Sequence, residues 1–212
     1  MGKNFAERQK KIPKAVIKRL SLYSRILQNL EMKSVDKISS KYLGEQLGLN
    51  SAQIRKDLAY FGQFGVPGFG YNVRELRKNI KKILQTDREI RVGLVGVGNL
   101  GLALLSYSGF LKQGFRFVAA FDADKRKVGS IRGGVEIQHI DNLEKVLREK
   151  DVDIIILAVP SNCAQQICDR VISAGVKAIL NFVPIHLVVS TGVIVHYVDL
   201  AIELESLSYY LR

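Results

Sequence analysis

The chain has 212 residues, 47% of them hydrophobic, with four prolines, a composition that excludes a disordered or fibrous chain and allows one or two globular domains. Its net charge of +12 is unevenly spread: residues 1–90 hold 19 Lys/Arg against 8 Asp/Glu, and residues 91–212 hold 13 against 12. That asymmetry suits a polyanion-binding module joined to a neutral partner, although a basic surface kept for solubility gives the same arithmetic.

In chain order, the start Met1-Gly2-Lys3-Asn4 has no apolar stretch behind it, and no later run reaches membrane-spanning length, so a cytoplasmic protein without a membrane partner is expected. Helical periodicity begins after Pro13, with Ala15, Val16, Leu20, Leu22, Tyr23, Ile26, Leu27 and Leu30 at three- and four-residue steps. A second helix is expected from Ser39-Ser40 to Gly48, and a third from Ser51, read as its N-cap, to about Phe61. Helix, short turn, helix is a DNA-binding pattern. On the third helix Arg55 and Lys56 suit guanine O6/N7, Gln53 suits adenine and Ser51 suits a phosphate, while Arg8, Lys10, Lys11 and Lys14 suit backbone phosphates. The glycine-rich segment Gly62–Tyr71 fits a tight hairpin or a plain loop, and Asn72 caps a fourth helix, Val73 to about Leu84. Polar residues 86–89 mark a domain boundary.

From Arg91 apolar strands alternate with helices: strand Val92–Val95, helix Asn99–Leu111, strand Phe117–Phe121, helix Asn142–Glu149, strand Val152–Val159, helix Asn162–Ala174, strands Ala178–Phe182 and Val193–Tyr197. Nearly all-apolar strands imply a parallel sheet covered on both faces. Gly96-Val97-Gly98-Asn99-Leu100-Gly101 follows the first of them, and Asp122 ends the second. In that context the glycines allow a tight turn, close approach of a pyrophosphate and close helix packing. Asp122 suits a ribose diol, so NAD(H) is expected over NADP(H), an inference that Lys125, Arg126 and Lys127 weaken. Val159-Pro160 and Asn181-Phe182 end strands at the carboxyl edge beside that cofactor, or simply end strands. Cys163 and Cys168 fall on different faces of one helix and read as small buried thiols. The tail, residues 198–212, forms a helix with a stripe of Leu200, Leu204, Leu207 and Leu211 that packs on its own domain or on a second copy.

The segments Ser51-Ala52-Gln53-Ile54-Arg55-Lys56-Asp57-Leu58, Tyr60-Phe61-Gly62 and Gly68-Phe69-Gly70-Tyr71 resemble the winged-helix half of the Rex redox-sensing repressors. Tyr107-Ser108-Gly109-Phe110, Phe121-Asp122-Ala123-Asp124, Arg132-Gly133-Gly134-Val135 and Leu180-Asn181-Phe182, with the glycine motif, resemble the family's cofactor half. The resemblance implies an α/β chain with a winged-helix DNA-binding domain over 1–86, a Rossmann NAD(H)-binding domain over 87–197 and a dimerisation helix over 198–212, exchanged between subunits. It implies a homodimeric transcriptional repressor that binds operator DNA when free or NAD⁺-bound and leaves on binding NADH. It casts Arg55 and Lys56 as base readers, Asp122 as the ribose acid, and Arg25, Tyr107 and Asp199 as the link between nicotinamide pocket, exchanged helix and DNA-binding half. The wing tip Val66-Pro67-Gly68-Phe69 lacks the Arg or Lys of many relatives. An NAD-dependent dehydrogenase is the rival reading. Residues 192–212 are too few for a substrate domain, and His139, His186 and His196 show no proton-relay pattern, so no catalytic or metal-binding residue is expected.

Overall fold

The computed structural model describes residues 12–66 and 68–211, which fall into two units dividing between Arg88 and Glu89. In the first, helix α1 (Lys14–Met32) follows the extended Pro13 and buries Val16, Leu20, Tyr23, Leu27 and Leu30, a single stripe at steps of four and three. Strand β1 (Lys37–Ile38) leads to helix α2 (Ser40–Glu45), whose first turn is capped by Ser39. Helix α3 (Ser51–Ala59) is capped by Asn50, whose Oδ1 accepts from the Gln53 N–H at 2.7 Å. The expected Ser51 cap is therefore displaced by one residue. Asn50 has the extended backbone that a cap needs, whereas Ser51 is already helical. The turn between α2 and α3 is close: a Cβ on Gly44 would stand 2.4 Å from the Leu49 carbonyl oxygen.

Strand β2 (Tyr71–Asn72) pairs antiparallel with β1. Helix α4 (Val73–Ile83) follows, with Asn72 as its cap. Its Val73, Leu76 and Ile80 join Leu20, Tyr23, Leu27, Leu43, Ile54 and Leu58 in one core. Arg77 of α4 pairs with Glu31 of α1. The segment expected to be a hairpin holds a single bridge, Val66 with Gly70, because its extended pairing is made instead between β1 and β2.

One acid is buried at the centre of this unit. Asp57, on the inner face of α3, has no solvent exposure. Arg19 of α1 donates to both its oxygens, Nε to Oδ2 at 2.5 Å and Nη2 to Oδ1 at 2.7 Å. Tyr23 Oη donates to Oδ2 at 2.6 Å, and Gln53 Nε2 donates to Oδ1 at 2.7 Å. Burial alone would raise the Asp57 pKa, but these donors outweigh it and hold the carboxyl below the usual carboxylate range. The cluster fixes α3 against α1 with directional bonds that apolar packing does not supply.

The second unit is a seven-stranded sheet in the order β5-β6-β4-β3-β7-β8-β9, where β3 is Ile90–Val95, β4 Phe115–Asp122, β5 Ile131–Arg132, β6 Val135–His139, β7 Ile154–Leu157, β8 Ala178–Asn181 and β9 Ile194–Tyr197. Apart from β5, which pairs antiparallel with β6, every neighbouring pair is parallel. Taken in chain order without β5, the strands lie 3-2-1-4-5-6, the doubly wound Rossmann arrangement, with its topological switch beside β3. Helices α5 (Asn99–Ser106) and α6 (Gly109–Lys112) replace the single expected helix, broken where Tyr107 turns to φ −79°, ψ 103°. Helix α7 (Leu143–Glu149) and helix α8 (Ser161–Ser173) are tied by Arg170, which donates to both carboxylate oxygens of Glu144. The β5–β6 hairpin was not expected; at two residues β5 is too short to leave a periodic signal.

Helix α9 (Leu200–Ser208) begins at Asp199, whose Oδ1 accepts from the Ala201 N–H at 2.9 Å. None of its residues is buried. Leu200, Ile202, Leu204 and Leu207 are 59–68% exposed, so among the described residues nothing covers its apolar stripe. No described helix is long and apolar enough to cross a membrane.

Asp57→Asn keeps the shape and removes the charge that Arg19 needs. It is expected to lower unfolding free energy by about 3 kcal/mol at neutral pH, read by urea denaturation of the full chain. Because the folded pKa of Asp57 lies below its unfolded value, its contribution is complete above about pH 4 and is lost as pH falls through the folded value. The stability difference between wild type and variant should therefore shrink on acidification.

Candidate nucleic-acid interface and dinucleotide site

Helix α3 presents an exposed face made by residues that Asp57 does not use. Arg55 and Lys56 are both exposed on it. Arg55 does not hang freely: its Nη1 donates to Ser40 Oγ at 3.0 Å, so the start of α2 holds the guanidinium. Gln53, expected to read a base, donates from Nε2 to Asp57 and so also braces the buried acid. Ser51 is half-buried in the first turn and Lys14 is exposed at the start of α1. Arg8, Lys10 and Lys11 lie outside the described residues, as does Pro67 of the wing tip. On either side of Pro67, Val66 and Phe69 are exposed, and Lys37 Nζ stands 5.9 Å from the centroid of the Phe69 ring. An open groove of about 460 Å³ runs between α3 and this segment, with Ser40, Arg55, Gly65 and Tyr71 in its lining.

In the second unit the glycine motif sits where β3 meets α5, and each glycine meets a different constraint. Gly96 has φ +94°, and a Cβ there would lie 2.2 Å from the Ala158 carbonyl oxygen and 3.0 Å from a Val159 methyl. A Cβ on Gly101 would lie 2.2 Å from the Gly96 carbonyl oxygen, so helix and loop touch without an intervening side chain. A Cβ on Gly98 would meet nothing within 4 Å. That glycine leaves open space at the N-terminus of α5, where Asn99 and Leu100 are exposed and unpaired N–H groups favour an anion. Val97 is fully buried, and its N–H donates to Asp122 Oδ2 at 2.9 Å.

Asp122 thus ties the loop to the end of β4. Its Oδ1 accepts from the Asp124 N–H at 2.8 Å, and its Oδ2 also accepts from Lys127 Nζ at 2.8 Å. Burial alone would raise its pKa, but Lys127 and the two backbone donors outweigh that and keep it ionised below the ordinary carboxylate value. The open Gly98 position, the free helix end and an acid at the tip of the neighbouring strand fit a dinucleotide: pyrophosphate over the loop and adenosine ribose toward Asp122.

Other expected site residues are distributed unevenly. Val159 lies against Gly96, and Pro160 is exposed at the start of α8. Asn181 is buried, and its side chain is spent on the fold: Nδ2 donates to the carbonyls of Val183 and Ile185, and Oδ1 accepts from the Val183 N–H. These bonds build the turn that follows β8. Phe182 is half-buried against the core beside β3. Tyr107, at the break between α5 and α6, is 61% exposed and meets the Phe110 ring edge-on. Tyr107 and Asp199 belong to the second unit, whereas Arg25 is exposed on α1 of the first. Burial pushes the Cys168 thiol up to about 11, which leaves it unreactive, while Cys163 Sγ donates to the Pro160 carbonyl. Among the described residues no group of His, Cys, Asp and Glu could hold a metal.

Sequence reasoning missed Ser40, Asp57 and the partnership of Lys127 with Asp122. For Asp57 the signal was present: its i−4 neighbour is Gln53, and Arg19 and Tyr23 are four apart on one face of α1.

Comparisons with known proteins agree with this geometry. Residues 11–59 match the family described as putative DNA-binding protein N-terminus, and residues 87–185 match the CoA binding domain family. A redox-sensing transcriptional repressor Rex from Desulfitobacterium hafniense is 49% identical over 199 residues, covering 94% of this chain and 95% of that protein. Its counterpart from Syntrophobacter fumaroxidans is 48% identical over 202 residues, covering 95% of this chain and 96% of that protein. The crystal structure of RSP with β-NAD⁺ and operator DNA superposes with a TM-score of 0.89 at 42% identity, covering 94% of this chain and 92% of that one. RSP in complex with β-NADH gives 0.84 at 40% identity, covering 95% and 94%. The chain belongs to the Rex family of redox-sensing transcriptional repressors.

Proposed function

We propose that this protein represses transcription by holding operator DNA when its nucleotide site is empty or contains NAD⁺, and that it lets the operator go when the site takes NADH. The observation that carries the reading is the presence, in one chain, of a basic helix-turn-helix with a braced third helix and a Rossmann sheet with an open glycine loop. The relatives support it: RSP has been crystallised with operator DNA together with β-NAD⁺, and separately with β-NADH. Arg55 and Lys56 read base edges, and Lys14 with the basic residues before it holds phosphates. Residues 96–101 seat the pyrophosphate, and Asp122 takes the adenosine ribose diol. Sensing then needs no chemistry on the protein: oxidised and reduced nucleotide compete, and the chain turns neither over, which sets it apart from a dehydrogenase.

Two copies are required for this. The uncovered stripe of α9 is the surface that a second copy covers, and each aliphatic side chain buried there contributes about 1.5–3 kcal/mol. A dimer places two α3 helices on a palindromic site, where their separation must match about one helical turn of DNA. NADH favours a form with the wrong separation. A hundredfold preference of NADH for that form supplies about 2.7 kcal/mol of coupling. Arg25, Tyr107 and Asp199 form the element that changes partners between the two forms.

An operator gel shift tests the reading. NADH is expected to release the DNA at concentrations where NAD⁺ has no effect, and retention with both overturns it. Gly98→Ala puts a methyl into space that no protein atom occupies, so its melting temperature should match wild type while NADH affinity falls at least tenfold, about 1.4 kcal/mol. Gly101→Ala drives a methyl into a backbone carbonyl and should lower the melting temperature itself. Leu204→Lys combined with Leu207→Lys should shift sedimentation toward monomer and weaken operator binding more than tenfold.

A further inference from the structure

Three basic residues follow Asp122, and the structure gives them different positions. Lys125 is exposed. Arg126 turns away from the site, closing Nε and Nη2 on Asp124 with its side chain 90% exposed. Lys127 turns back, and its Nζ stands 2.8 Å from Asp122 Oδ2. The backbone around it is fixed. Its N–H donates to the Asp124 carbonyl at 2.9 Å, and its own carbonyl accepts from the Ser130 N–H at 3.1 Å and the Ser130 hydroxyl at 2.6 Å. The 124–130 turn therefore aims one lysine, and not its neighbours, at the acid.

The carboxylate oxygen that Lys127 meets is the one that also accepts from the Val97 N–H of the glycine loop. Asp122 is 12% exposed and Lys127 36%, so the ammonium forms the open side of the pair. One of its three N–H groups points at Asp122. A lone carboxylate at this strand tip repels a 2′-phosphate, which carries roughly 1.5–2 negative charges. A carboxylate already paired with an ammonium presents nearly no net charge there, and the ammonium attracts the phosphate. We infer that Lys127, through its pairing with Asp122, sets how strongly the site prefers NADH to NADPH. This rests on reading the second unit as the NAD(H) site. The acid still selects the diol by hydrogen bonding. The lysine limits how far the 2′-phosphate is excluded, and its loss sharpens the discrimination.

The test is titration of full-length wild type, Lys127→Ala, Lys127→Gln and Lys127→Arg with NADH and with NADPH, following nicotinamide fluorescence, with a thermal melt of each variant. The readout is the ratio of the two affinities, which a merely structural role does not move. Lys127→Ala and Lys127→Gln are expected to raise the NADH preference at least fivefold, and Lys127→Arg to restore it to within about twofold of wild type. Asp122→Asn should move the ratio the other way, toward NADPH. If the ratio is unchanged in both neutral variants, or if both affinities fall together, the assignment is overturned. If the wild-type chain binds neither nucleotide, the functional reading fails first and takes this inference with it.

Discussion

The second unit depends on a meeting of three strands at Gly96. The chain leaves β3 in a left-handed conformation, with the Ala158 carbonyl 2.2 Å from where a Cβ would be. The Gly96 N–H donates to the Phe121 carbonyl at 2.9 Å, so β4 is held from the other side. With backbone pressed against backbone, no side chain can stand between strand tip and helix start. The loop that results lies at the switch of the doubly wound sheet, where the strand order forces a crevice open. That crevice ends at the N-terminus of α5, where Gly98 leaves open space.

Both units stabilise a charge where charge is costly, by different means and to different ends. Asp57 has no exposure and four donated bonds, so it fixes the third helix against the first and leaves Arg55 and Lys56 on the outer face. Asp122 is slightly open, with two backbone donors and one lysine, so it shapes the loop and keeps an edge toward solvent. The first arrangement locks two helices together and the second ties a loop to a strand tip. Removing a partner from Asp57 leaves a buried charge unmet.

The parts visible in the sequence are those written in period or in glycine spacing. Val16 to Leu30 displays one helix face, the apolar runs display a parallel sheet, and the order strand, glycine motif, helix, acid displays the phosphate loop. What remained hidden depends on tertiary contact. An Asp inside a basic helix reads as surface until α1 brings Arg19 and Tyr23 to it. Gln53 gives no sign in the sequence that it also donates to that acid. Asn181 gives no sign in the sequence that the following turn uses both ends of its side chain. Lys127 looks like one of three equivalent lysines and arginines until the 124–130 turn aims it. The break at Tyr107 and the two-residue strand β5 are too short to carry any period.

In the proposed repressor the redox state of a bound nicotinamide is converted into the separation of two recognition helices. That conversion is tested most directly by electron–electron distance measurement between nitroxides placed at Ala59 in both copies of a full-length chain with Cys163 and Cys168 replaced by serine. One distance distribution is expected with NAD⁺ and operator DNA, and a distinctly different one with NADH. Identical distributions in the two states, with operator affinity still falling on NADH addition, would contradict it.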